Sequence, residues 1–182
     1  MLTQIINGRI LTPQGWLKDG SVIIRDGKIL EVTNCDLAII GADIIDAKGM
    51  YVTPGFVDMH VHGGGGRDFQ EGTPEAFNVA VNAHIKYGTT SIFPTLSSST
   101  VPMIEAAVET CDELMKDPQS PILGLHLEGH YLNPQKAGAQ RPEWIKNPDP
   151  NEYIPIVENS PCLARWDAAP ELAGALQISS MR

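Results

Sequence analysis

Residues 55–66 read G-F-V-D-M-H-V-H-G-G-G-G, and no other stretch limits the available folds as tightly. An apolar run opening at Tyr51 and the helix-stopping pair Pro54-Gly55 lead into it, which favours an extended backbone. In a strand, residues two apart share a side, so Asp58, His60 and His62 line one face while Val57, Met59 and Val61 line the other. Such a strand is expected to be buried in a parallel barrel, whose outer wall packs on helices and whose catalytic groups sit at strand C-termini. The glycines at 63–66 are expected to turn the backbone sharply and leave room over the imidazoles. Taken alone, an H-x-H pair fits two histidines that merely hydrogen-bond in a strand equally well. Its position between an apolar run and a glycine tract favours a site.

With 182 residues the chain is long enough for one or two domains with a core. A net charge of -9 and the lack of any basic tract argue against a general nucleic-acid binder, because such binding needs a cationic face. Cys35, Cys111 and Cys162 form neither a paired framework nor a C-x-x-C zinc motif, so they are read as packing residues in a reducing compartment. The N-terminus lacks a basic segment followed by a long apolar core, and no apolar run approaches the roughly 18 residues of a membrane span. A soluble cytoplasmic protein without membrane partners is expected.

Residues 1–52 are expected to form a small β domain. Ser21–Ile24 and Lys28–Val32 flank Arg25-Asp26-Gly27, a favoured hairpin signal; a second turn is expected at Asn7-Gly8 and a further strand at Ile44-Ile45. Residues 53–182 then alternate strand and helix. Thr73 is placed as an N-cap before Pro74 and Glu75, with Gly88 past the helix end. Phe77, Ala80, Val81, His84 and Tyr87 recur at helical spacing, which makes His84 a structural histidine. Residues 88–95 read as the second strand, and Thr100 as the cap of a helix presenting Ile104, Ala107, Val108, Cys111 and Leu114 to the core.

The third strand alternates as well. Leu123, Leu125 and Leu127 face outward, while His126 and Glu128 face the side of the histidine pair. A carboxylate in so apolar a strand is costly unless paired or bound to a cation, so Glu128 is a candidate functional residue and His126, one layer deeper, a supporting one. The 130–148 segment is longer than an ordinary βα loop and is expected to cover substrate. Asp149-Pro150 opens a helix, Cys162–Ala169 forms a fourth strand, and a last helix is expected from Pro170-Glu171. The fold class is α/β: the first half, four β/α units, of a (β/α)8 TIM-type barrel that closes with eight, preceded by a small β-sandwich-like domain.

P-G-F-V-D-M-H-V-H-G at residues 54–63, after a β-rich section, resembles the amidohydrolase superfamily. G-L-H-L-E-G-H-Y-L-N-P at 124–134, running on to Lys136-Ala137-Gly138-Ala139-Gln140, and A-A-P-E at 168–171 resemble the N-acetylglucosamine-6-phosphate deacetylase family; together these motifs span nearly the whole chain. The resemblance implies that Glu128 is a metal ligand, that His60 and His62 serve a second metal, and that Ala139 and Gln140 contact the amino sugar. It implies a divalent cofactor (zinc, iron or manganese, two ions in the complete enzyme) and a phosphorylated amino-sugar substrate split into acetate and glucosamine 6-phosphate by a homodimer. Asp58 is read as a structural hydrogen-bonding group deeper on the inner face, not as the catalytic aspartate.

Two departures stand out. His130 replaces the proline of many relatives and is read as a neutral replacement, the alternative being an extra polar group at the mouth. The family also draws two more histidine ligands, its catalytic aspartate and most phosphate contacts from later strands, whereas no histidine follows His130 here. The expectation is a truncated form with no catalytic residue of its own and little turnover. The alternatives are an amidohydrolase acting on a cyclic amide, or a non-catalytic fragment that binds metal or pairs with another chain through its unpaired first and fourth strands.

Overall fold

Alternating apolar residues and an Asp-Gly turn build the first element group. In a computed structural model, which describes residues 1–35 and 38–181, β1 (Leu2–Thr12) pairs antiparallel with β2 (Gly15–Arg25), and β2 with β3 (Lys28–Thr33). Asp26 and Gly27 turn the second hairpin with φ of 51° and 77°, the left-handed geometry of a tight two-residue turn. β4 (Asp43–Asp46) and β5 (Tyr51–Val52) join β1 in parallel, giving one five-stranded sheet. The turn expected at Asn7-Gly8 is absent. β1 runs through both residues with a local irregularity, Asn7 at φ 56°, and Gly8 lets Val52 approach to where a Cβ would lie 2.5 Å from its methyl. Among the three cysteines, Cys35 is exposed and Cys111 and Cys162 are buried; all are free thiols.

The chain divides into two compact units, Met1–Pro54 and Gly55–Arg182. In the second, β6 (Phe56–Val61) is followed by a two-rung ladder of β7 (Gly63–Gly64) with β8 (Arg67–Asp68), then α1 (Pro74–Ile85). β9 (Thr89–Leu96), α2 (Val101–Leu114), β10 (Leu125–Glu128), α3 (Pro150–Asn159), β11 (Leu163–Asp167) and the one-turn α4 (Ala175–Ile178) complete it. The strands lie in the order β11-β10-β9-β6, with every pairing parallel. Helix starts follow their chemistry: the Thr73 hydroxyl accepts the Ala76 amide 3.2 Å away, and Asp149 accepts that of Asn151 at 2.9 Å. Thr100 occupies the N-cap of α2 without a side-chain cap bond.

The core lies under one face of the parallel sheet. Phe77, Ala80 and Val81 of α1, and Ile104, Ala107, Val108 and Cys111 of α2, pack against Ile92, Leu96, Leu125 and Leu127. Three expectations fail. β6 is not buried: it has β9 as its one partner among the described residues, and Val57 and Met59 are each 58 % exposed. Tyr87 and Leu123 are exposed, because α1 stops at Ile85 and Leu123 precedes the strand proper. No helix starts at Pro170. Instead Leu172 N–H turns back to the Ala169 carbonyl, and Glu171 accepts a 2.7 Å hydrogen bond from Asn133 of the long loop.

Candidate metal centre

Strand alternation carries His60 and His62 to one end of the parallel sheet, where β10 delivers Glu128. His60 Nε2 lies 3.1 Å from His62 Nε2 and 3.6 Å from Glu128 Oε1, and His62 Nε2 lies 3.2 Å from Glu128 Oε2. All three donors fall within 4.8 Å of one another. Ligands at about 2.0–2.1 Å around a tetrahedral ion sit roughly 3.3 Å apart, so these separations suit a shared divalent cation. Two imidazole nitrogens and a carboxylate oxygen are a donor set for zinc, iron or manganese.

A series of polar contacts supports the histidine strand from behind. Asp58 accepts the His60 backbone N–H at 3.2 Å, which is the structural role expected for it. Pro94 stands opposite Val61 in the β6–β9 pairing, and the Val61 N–H donates to the Thr95 hydroxyl at 3.1 Å. Thr95 in turn lies 3.1 Å from His126 Nδ1, and His126 Nε2 lies 3.1 Å from Asp167 Oδ2. Burial holds the His126 imidazole below the usual histidine range, against the opposing pull of Asp167. With Nε2–H donating to Asp167, the neutral ring leaves Nδ1 as an acceptor beside the Thr95 hydroxyl, whose single proton is shared with the Phe93 carbonyl 3.1 Å away. Asp167 is also gripped by Arg165, at 2.9 and 3.1 Å.

The glycine tract differs from expectation in what it packs on. Gly65 and Gly66 make the sharp turn with φ of 61° and 83°, but Gly63 and Gly64 lie against neighbouring chain. A Cβ at Gly63 would meet the Arg67 carbonyl at 2.1 Å, and one at Gly64 the His84 ring at 2.9 Å. His84 is structural, as its helical position suggested: Nε2 donates to the Gly63 carbonyl at 2.9 Å.

The covering loop reaches the centre through one side chain. Gln140 Nε2 donates to Glu128 Oε2 at 2.8 Å while its Oε1 accepts the Ser98 N–H at 2.7 Å. Ser98 belongs to a serine turn clamped by Gln70, whose amide nitrogen lies 2.7 Å from Ser99 Oγ and whose amide oxygen accepts from Ser97 Oγ at 2.9 Å. Ala139 is exposed. His130 is fully buried; its ring packs 4.2 Å from Tyr131, and Nε2 lies 3.5 Å from Glu152. Burial pushes its pKa down to about 4, outweighing the nearby carboxylate.

Thr95, Asp167 and Gln70 escaped the sequence reading. None carried a usable signal: Thr95 and Asp167 come opposite His126 and Glu128 only through the parallel register, which the folded sheet sets.

Residues 43–124 match the amidohydrolase family. The chain is 33 % identical over 170 residues to an N-acetylglucosamine-6-phosphate deacetylase of Haemophilus influenzae, covering 92 % of this chain and 44 % of that protein. It is similar to this deacetylase over nearly all of its own length. An N-acetylgalactosamine-6-phosphate deacetylase of Escherichia coli O157:H7 is 30 % identical over 180 residues, covering 97 % of this chain and 46 % of that protein. The crystal structure of the N-acetylglucosamine-6-phosphate deacetylase from Pasteurella multocida superposes with a TM-score of 0.90 at 26 % identity, over 97 % of this chain and 47 % of that one. The chain thus spans about half the length of the curated relatives it matches. No helix among the described residues is long and apolar enough to cross a membrane.

Proposed function

We propose that this chain supplies the metal-binding half of a deacetylase that removes the N-acetyl group of N-acetylglucosamine 6-phosphate. The observation that carries the reading is the convergence of His60, His62 and Glu128 within 4.8 Å. On this reading residues 1–52 are a small β domain and residues 53–182 the first four units of a (β/α)8 barrel. The donors then stand at strand C-termini, where barrel enzymes do their chemistry.

A divalent cation held by these donors would polarise the acetyl carbonyl and lower the pKa of the attacking water. The residues on the chain would do the rest of what this half can do. His60 and His62 would hold the cation through Nε2. Glu128 contributes the compensating negative charge, and Ala139 and Gln140 bring the covering loop to the sugar. Among the described residues the two carboxylates nearest this role are committed elsewhere, Asp58 to the His60 amide and Asp167 to His126 and Arg165. The resemblance puts the proton-transferring aspartate on a later strand of the family's barrel, and turnover by the 182-residue chain alone is expected to be slight.

The test joins this chain to the second half of the Pasteurella multocida enzyme and follows acetate release. Release from N-acetylglucosamine 6-phosphate that disappears with Glu128→Ala is the expected result. Undiminished release from that variant, or preference for a ring amide, would overturn the proposal. Because a galactosamine-type relative matches over 180 residues, the C4 epimer belongs in the same assay.

A further inference from the structure

We infer that Gln140 is a positioning residue for the metal-binding carboxylate, so that the covering loop and the cation site are coupled before any sugar is present. The inference rests on the metal-centre reading above and adds a role that the resemblance, which gives Gln140 a sugar contact, does not supply.

The amide orientation follows from its two partners. The Ser98 backbone N–H is a donor and needs an acceptor, which fixes Oε1 towards it at 2.7 Å. Nε2 must then face Glu128, where it donates to Oε2 at 2.8 Å. Neither partner is free to drift. Ser98 is 1 % exposed, and the Ser97–Ser99 turn is gripped by Gln70, which follows β8 in the chain. A continuous polar path therefore runs from Gln70 through the serine turn and Gln140 to Glu128.

The consequence for the site is geometric. Glu128 has two oxygens and two imidazoles within 3.6 Å, so an unrestrained carboxylate can rotate between them. With Oε2 held by the Gln140 amide, the carboxylate is fixed in rotation, with Oε1 towards His60 and Oε2 towards His62. Hydrogen bonds of this kind to ligating carboxylates change metal affinity by roughly 10- to 100-fold. By linkage, a bound cation must strengthen loop order as much as loop order strengthens cation binding.

The experiment is zinc titration of the sugar-free 182-residue chain in competition with a chromophoric chelator, comparing the parent with Gln140→Leu and Gln70→Ala. Leucine keeps the bulk of the side chain and removes both polar atoms. The expected result is zinc affinity roughly 10- to 100-fold weaker in Gln140→Leu, with a smaller loss in the same direction for Gln70→Ala. Circular dichroism and the melting midpoint without metal show that the variants fold. Equal zinc affinity in parent and Gln140→Leu would overturn the positioning role and leave the metal centre standing. If the parent binds no zinc at all, both readings fall.

Discussion

Replacing Thr95 by valine should loosen the strand that carries both histidines, and the size of the effect can be worked from three contacts. Thr95 is fully buried, and its hydroxyl accepts the Val61 N–H, faces His126 Nδ1 and reaches the Phe93 carbonyl, each at 3.1 Å. Valine keeps the shape and deletes the oxygen, leaving one fully buried ring nitrogen and one part-buried amide without partners. An orphaned buried group costs about 1–3 kcal/mol, so the pair costs roughly 3 kcal/mol. The added methyl returns about 1 kcal/mol by burial, for a net loss of about 2 kcal/mol. Thr95→Ser is the control: it keeps the hydroxyl, loses the methyl, and should cost about 1 kcal/mol. Hydrogen exchange separates the two mechanisms. The Val61 amide should exchange faster in Thr95→Val and stay protected in Thr95→Ser, and zinc affinity should fall with the first and hold with the second. An unchanged Val61 amide in Thr95→Val, or a valine variant as stable as the serine one, would refute the reasoning.

Three further outcomes follow from the same contacts. Asp167→Asn replaces the acceptor that fixes the His126 tautomer and breaks the Arg165 pair; chemical denaturation should show a loss of about 1–3 kcal/mol. Gly63→Ala drives a Cβ to within 2.1 Å of the Arg67 carbonyl and 2.9 Å of Asp68 Cα, backbone atoms that cannot swing aside, so thermal melting should report roughly 3 kcal/mol of destabilisation. His130 should make the metal-free chain acid-sensitive. Its native pKa of about 4 lies below the ordinary 6.5, so the unfolded chain takes up a proton first and stability falls as pH drops from 6.5 towards 4, by up to about 3 kcal/mol. Denaturant midpoints across that range should flatten in His130→Phe; parallel slopes in parent and variant would contradict the assignment.

How much was legible in the sequence depends on how local the deciding interaction was. Period-two alternation placed His60, His62 and Glu128 on one side of their strands, and parallel pairing then had little freedom in where to bring them together. Helix starts at Thr73 and Asp149 were legible because a cap is made within three residues. The turn at Asn7-Gly8 was misread because the same dipeptide serves a tight turn or an irregularity in a long strand, and only the partner strand decides. The helix expected from Pro170 gave way to a turn whose reason lies 38 residues away, in the bond from Asn133 to Glu171.

The same distinction explains why the burial of His130 and the role of the serine turn were not legible. A histidine where a proline is usual reads only as a neutral replacement or an extra polar group when judged by its neighbours in sequence. It is buried by Tyr131 beside it and by Trp166 from the next strand, whose indole N–H donates to the Gly129 carbonyl at 2.7 Å. Gln140 shows the point most directly. Its motif suggested a contact with sugar, but the two partners that fix its amide, Ser98 and Glu128, come from separate βα units and meet only in the folded sheet. Residues that could bind a cation are thus readable from local alternation, while the residues that orient them are set by register between strands. Substitutions at Thr95, Asp167 and Gln140 should accordingly change cation affinity without touching a single donor atom.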